Sequence, residues 1–281
     1  MRRIVAAIAI TIILLPCICL GEEKLLITDV LEKGEKEVGV FFSYVHESHE
    51  ISFERTALNA DRDYEVMYTS CVFNVGLGHR FEVGAGIPYV FSARTKIEYP
   101  TVPTTTSRFS RDGFGDINLG GRYLVFDETE KPFTLVAGLD VKPDTASEDD
   151  GGTGTTNVAP YVAASATVAE DIRPFASYIF VARNHGTSDF HKFTVGVEKE
   201  FNEDIGLRVF LDADFYTSSD SFGSHENYYL NIGSYIRICN SLYVVPRVRY
   251  GILGPSDEKN SDRRWESANN LKLTFGLYCL F

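Results

Sequence analysis

From Val38 onward, apolar and polar residues alternate along the chain with a period of two. Successive side chains of a strand point to opposite faces, so this pattern predicts strands with one face in an apolar medium and the other in water. The last stretch shows it most plainly: Leu271, Leu273, Phe275, Leu277, Cys279 and Phe281 fall on one face, and Lys272, Thr274, Gly276 and Tyr278 on the other. Twelve runs of this kind are predicted, at 37–48, 63–77, 80–95, 115–126, 132–143, 156–168, 173–183, 189–200, 205–217, 226–238, 242–253 and 268–281. No helix longer than about two turns is expected.

The connections between these runs alternate in length. The short set is 78–79, 127–131, 169–172, 202–204 and 239–241, rich in turn-forming residues. The long set is 48–62, 96–114, 144–155, 183–188, 218–225 and 254–267. A soluble sandwich has no reason to sort its loops this way. Short periplasmic turns, long external loops and an even strand count describe an outer-membrane barrel. A chain that ends on an aromatic at the apolar face, as this one does at Phe281, also resembles the strand by which such barrels are recognised and closed. Phe81, Phe133, Phe175, Phe201, Tyr243 and Phe281 lie within a few residues of the short turns, where an interfacial belt of rings is expected. The fold class is therefore all-β: one twelve-stranded antiparallel transmembrane β-barrel over residues 37–281, in the outer membrane of a Gram-negative cell. Its expected partners are outer-membrane lipid and the barrel-assembly machinery.

Composition adds a front end and removes some functions. Residues 1–21 read as an export signal, with Arg2 and Arg3 ahead of an apolar stretch closed by Pro16; that stretch falls short of the roughly 20 residues of a membrane span. Residues 22–36 are charged and aperiodic, a periplasmic lead-in with room for one helical turn at 29–32. Losing Arg2 and Arg3 with the signal takes the net charge from −12 to −14. That acidity, with no basic patch, excludes nucleic acid as a partner. No later segment is apolar enough for a membrane helix, so a membrane form has to be a closed barrel. Cys71, Cys239 and Cys279 are an odd count at unrelated spacings and are expected to be free thiols.

Few motifs carry chemistry. Gly113, Gly115 and Asp116 open a strand that continues Leu119-Gly120-Gly121-Arg122-Tyr123. The glycines permit positive φ and a bend, and Asp116 can accept backbone N–H bonds there. These residues, with the preceding strand from Phe81 to Ala93, resemble the MetA-pathway phenol-degradation family of outer-membrane proteins. The resemblance implies a barrel of transporter type linked with aromatic-compound metabolism; it specifies neither a substrate nor a catalytic residue. His46 and His49 fall on opposite faces of a strand end, and the acidic stretch from Ser147 to Gly152 lacks calcium-loop spacing, so neither is a metal site. Asn184, Ser188 and His191 cluster at one hairpin without the spacing of a membrane hydrolase. No catalytic residue, cofactor or metal is expected.

The polar register supplies the candidate site. Arg208, Asp212, Asp214, Arg237, Arg247, Arg249 and Lys272 face inward on the last four runs, an excess of positive charge. Glu82, Arg94, Asp116, Arg122, Asp140 and Lys142 face inward on runs three to five and balance. Counting from the turns sets Arg247 level with Lys272. Barrels of this size lie between side-chain-filled and open ones, so the expectation is a channel for small solutes such as aromatic acids or other small anions. The alternative is a non-conducting structural or adhesive barrel whose external loops carry the function.

Overall fold

The structure, a computed structural model, describes residues 28–53, 58–99, 105–147, 152–169, 171–184, 187–219, 223–257 and 263–281. The export signal expected at 1–21 lies outside the described residues, as do Glu148, Asp149, Asp150 and Gly151 of the acidic loop. The strands are β1 (Lys36–Phe53), β2 (Leu58–Gly78), β3 (Phe81–Tyr99), β4 (Thr105–Phe114), β5 (Asn118–Phe126), β6 (Thr134–Lys142), β7 (Asn157–Ser165) and β8 (Ile172–Arg183). They continue with β9 (Phe190–Asn202), β10 (Ile205–Tyr216), β11 (His225–Cys239), β12 (Leu242–Leu253), β13 (Ser256–Asp257), β14 (Arg263–Trp265) and β15 (Ala268–Leu280).

All neighbours are antiparallel, and β1 pairs with β2 on one edge and β15 on the other, which closes the sheet. β4 and β5 pair with successive parts of β3, so they form one stave interrupted at 115–117; β13 and β14 only extend the edge beside β1. The result is a closed twelve-stranded barrel, with no helix among the described residues. Closure matters because backbone groups in lipid have no water to bond, and a closed sheet leaves no unpaired edge.

Every predicted run coincides with a stave, but the staves beside the first two long loops are longer than alternation indicated. β1 and β2 pair as far as Phe53 and Leu58, and β3 and β4 pair as far as Tyr99 and Thr105. The outward residues of this extension, such as Asp63, Glu65, Arg94 and Lys96, are charged because that part of the sheet stands above the lipid. Both faces are then wet, and the hydrophobic signal for a strand disappears. A bulge between Val90 and Ala93 also turns Arg94 to the outer face beside His46 and Glu65, against the inward register expected for it.

The outer face carries the lipid-facing apolar residues, with Val195 56% and Leu211 55% exposed. Phe81, Phe201 and Phe281 are exposed near the short turns, as an interfacial belt requires. Phe175 and Tyr243 are not part of that belt. Phe175 is 5% exposed and packs in the lumen against Phe210, and Tyr243 packs edge-on against Tyr235 and Tyr278 beside Phe41. A second outward group, Tyr178, Phe193, Phe215 and Tyr228, forms a chain of ring contacts nearer the long-loop ends.

The first short turn is built on His79 and Arg80, with φ of 54° and 66°, the left-handed pair that a two-residue hairpin needs to match strand twist. Residues 28–35 form no helix; they run across the short-turn end of the barrel. Thr28 Oγ1 lies 2.7 Å from Ser165 Oγ, the Leu31 N–H donates to Glu82 Oε2 at 2.9 Å, and the Gly34 N–H donates to the Gly76 carbonyl at 2.9 Å. β7 and β2 are thus bridged by one segment.

Candidate functional site

The break between β4 and β5 places Asp116 off the strand and beside the ends of the short β6 and β7. Gly113 has φ of 130°, a conformation costly for any residue with a Cβ. Asp116 is 2% exposed and its carboxylate is fully occupied. Oδ1 accepts the N–H groups of Thr145 and Ala146, each at 3.1 Å. Oδ2 accepts Lys142 Nζ at 2.6 Å, the Thr153 N–H at 2.9 Å and the Thr153 hydroxyl at 2.7 Å. The N–H donors come from the 143–156 loop, so Asp116 pins that loop into the break; they are not the donors of its own strand start.

The lumen holds a cavity of about 70 Å3, room for a few waters. Arg122, Lys192, Arg208, Arg247, Arg249 and Lys272 line it, against the carboxylates of Asp140 and Asp212. Its cations come from β5, β9, β10, β12 and β15, and its rings from β7, β8 and β10. Rings and cations interleave: Arg208 lies 5.9 Å over the Phe175 ring, and β7 and β8, which contribute Tyr161, Phe175 and Ile179, lie across the barrel from β15 and β1.

Arg249 and Lys272 are direct cross-strand partners, and Arg247 pairs with Thr274. The level assignment that matched Arg247 with Lys272 is therefore off by one inward position, because counting through a loop does not fix register. Like charges directly opposite each other repel. Arg249 lies 4.4 Å over the Tyr229 ring and donates from Nη2 to Asn270 Oδ1 at 3.3 Å, while its buried Nε has no partner among the described residues. Lys272 Nζ lies 5.6 Å from the Tyr68 ring centre.

Other cations are neutralised by residues that counting only the last four runs left out. Glu198 on β9 holds Arg208 at 2.9 Å, and Lys192 on the same strand lies 3.5 Å from Asp212. Asp212 is further bonded by the Thr194 hydroxyl at 2.6 Å and by Asn231 Nδ2 at 3.0 Å. Arg122 lies 5.7 Å over Tyr161, among the carboxylates of Glu82, Asp140 and Glu37. Arg237 is not in the cavity: it bonds Asp204 at 2.6 Å and Glu203 at 3.1 Å in the 202–204 turn. Beyond the strands, at the 127–131 turn between β5 and β6, the Thr129 hydroxyl holds the Asp127 carboxyl below its ordinary pKa and Arg80 does the same for Glu130.

Two inward features have no counterpart in the expected site. Glycines stand opposite inward rings, Gly138 beside Tyr161 and Gly251 beside Tyr229, and a Cβ at either would overlap the ring. Glycine in a strand interior with an aromatic on the neighbouring strand is the signal that could have found them. The hydrolase-like trio does not converge on the lumen. His191 Nδ1 shares a 2.8 Å hydrogen bond with the Tyr178 hydroxyl on the outer face, and Asn184 Oδ1 accepts the Thr156 N–H at 2.8 Å. Of the three cysteines expected to be free, Cys239 and Cys279 are free thiols and Cys71 is not: it is disulfide-bonded.

The barrel is shared with known structures. The outer membrane channel COG4313 from Pseudomonas putida F1 superposes with a TM-score of 0.64 at 11% identity, over 92% of this chain and 100% of that one. The transport unit of the autotransporter AIDA-I from Escherichia coli gives 0.56 at 12% identity, over 98% and 97%. At these identities the likeness is one of fold. No curated protein matches the chain in sequence. A family model does match, over residues 59–235, a stretch that holds the Gly-x-Gly-Asp break, Arg122, Asp140, Arg208 and Asp212; the chain belongs to the family described as "Putative MetA-pathway of phenol degradation".

Proposed function

We propose that this protein is an outer-membrane channel for small solutes, exported by a signal at 1–21 and inserted by the barrel-assembly machinery, with a preference for anions. The observation that carries the reading is the group Arg247, Arg249 and Lys272 on the neighbouring strands β12 and β15 where they line the lumen cavity. Two of its members face each other directly, and Arg249 is held by a ring and an amide while its Nε is unbonded. Such a group favours an entering anion, whose charge relieves the repulsion and whose oxygens can take a guanidinium bidentately. The family's description connects it with phenol degradation, and the lumen rings of Tyr161, Phe175 and Phe210, set among these cations, suit the ring of a deprotonated aromatic acid.

One feature favours the alternative of a closed structural or adhesive barrel: residues 28–35 lie across the short-turn end. Planar-bilayer recordings separate the two. The channel reading expects discrete conductance steps from the purified, heat-modifiable barrel. Folded protein that gives none leaves the closed barrel.

A further inference from the structure

A second group of rings and charges lies in the lumen on the long-loop side of the cavity, where β1, β2 and β14 come together, and Asn270 links it to Arg249. Arg62 on β2 is layered between two rings, its guanidinium 4.9 Å from the centre of Trp265 and 5.3 Å from that of Tyr64. Glu47 on β1 approaches Arg62 at 3.6 Å. That carboxylate is already committed, because His49 Nε2 lies 2.5 Å from the same oxygen and Asn270 Nδ2 donates to the other at 3.2 Å. His49 in turn stands edge-on to Trp265, with ring centres 5.4 Å apart at 86°.

Two polar groups here keep hydrogen-bonding capacity. Among the described residues the Arg62 side chain has the 3.6 Å ion pair with Glu47 and no closer hydrogen bond, so donors of its planar fork are available. His49 Nδ1 is buried and has no partner among the described residues. Both surround a half-buried indole. We propose that this is a capture site for planar aromatic carboxylates at the external end of the lumen, with the carboxylate on the Arg62 fork and the ring against Trp265. The proposal rests on reading the lumen as a solute path, but it concerns a different set of residues from the cationic group of the cavity.

The chemistry discriminates in a stated way. A guanidinium between rings keeps its in-plane N–H groups for a carboxylate, and a fork-to-carboxylate pair is directional as well as charged. A halide uses only the charge, a phenol only the ring, and a saturated carboxylate loses the ring contact. Tight selection for benzoate therefore needs both halves of the site.

Trp265 is the single tryptophan of the chain, so intrinsic fluorescence of the refolded full-length barrel reports on this position directly. Titration with sodium benzoate at fixed ionic strength is expected to give a saturable change. Cyclohexanecarboxylate and phenol are each expected to bind about tenfold more weakly or worse, and chloride to give no saturable change. Arg62→Gln should shift the benzoate midpoint by about tenfold or more, with Arg62→Lys between it and the wild type, since lysine keeps the charge and loses the fork. Heat-modifiable mobility checks folding of both variants. No saturable response, an equal response to chloride, or wild-type midpoints in both variants would overturn the proposal. Conductance recorded on the same preparation keeps the two readings apart: conductance without a benzoate response removes the capture site alone, and a benzoate response without conductance removes the channel.

Discussion

Replacing Asp116 by Asn should release the 143–156 loop from the wall. The carboxylate accepts five hydrogen bonds, two on Oδ1 and three on Oδ2, including that of Lys142 Nζ at 2.6 Å. An amide keeps the Oδ1 acceptor and so retains Thr145 and Ala146. On the other side its NH2 meets an ammonium, an N–H and a hydroxyl that previously donated, and Lys142, 11% exposed, loses its counter-charge. Breaking a buried pair by removing one partner costs about 3–5 kcal/mol. If that falls on the loop alone, its opening equilibrium rises by about two to four orders of magnitude, since each 1.4 kcal/mol is a factor of ten. The assay is amide hydrogen exchange or limited proteolysis of 143–156 in the folded barrel, with heat-modifiable mobility confirming that the barrel itself persists. Wild-type protection of that loop in Asp116→Asn would refute the reasoning, because it would mean that the carboxylate is not what holds the loop.

Three further changes test other parts of the structure. Gly251→Ala puts a Cβ into the Tyr229 ring; the ring must shift and carry Arg249 with it, so the conductance of the folded variant should change, and an unchanged value would show that this wall does not bound the path. Removing residues 28–35 takes away the bridge from Gly76 and Glu82 to Ser165, and single-channel conductance should rise several-fold; equal conductance would show that the segment does not obstruct. His79→Asn should stabilise the first turn by about 0.5–1 kcal/mol, because asparagine tolerates the φ of 54° better than histidine does; a lower midpoint in a urea gel-shift series would contradict the turn assignment.

The barrel was readable because lipid on one side and water on the other write a period of two into every stave, and because long loops and short turns alternate along the chain. Legibility failed where that contrast vanishes. Above the bilayer, Asp63, Glu65, Arg94 and Lys96 sit on paired strand but read as loop. A single bulge near Phe91 inverts the face of Arg94, and no composition signal announces it. The candidate site was legible residue by residue and not as a network. Arg208, Arg247, Arg249 and Lys272 do share the lumen, but the carboxylate that neutralises Arg208 comes from Glu198 on the neighbouring strand. Pairing across strands depends on register, and register depends on loop lengths and bulges that alternation does not specify. Phe175 and Tyr243 were misplaced for a related reason: an aromatic near a turn reads the same whether it faces lipid or lumen, and only pairing with Phe210 or Tyr278 separates the two.

If Arg247, Arg249 and Lys272 set the selectivity of the lumen, the channel prefers anions. The most direct measurement is the zero-current potential of single channels under a KCl gradient, for the wild type and for Arg247→Glu with Arg249→Glu. The account predicts a wild-type potential on the anion-selective side that moves to the cation-selective side in the double variant, as expected when charged side chains lining a pore set selectivity. A cation-selective wild type, or a potential that the double substitution leaves where it was, would contradict it.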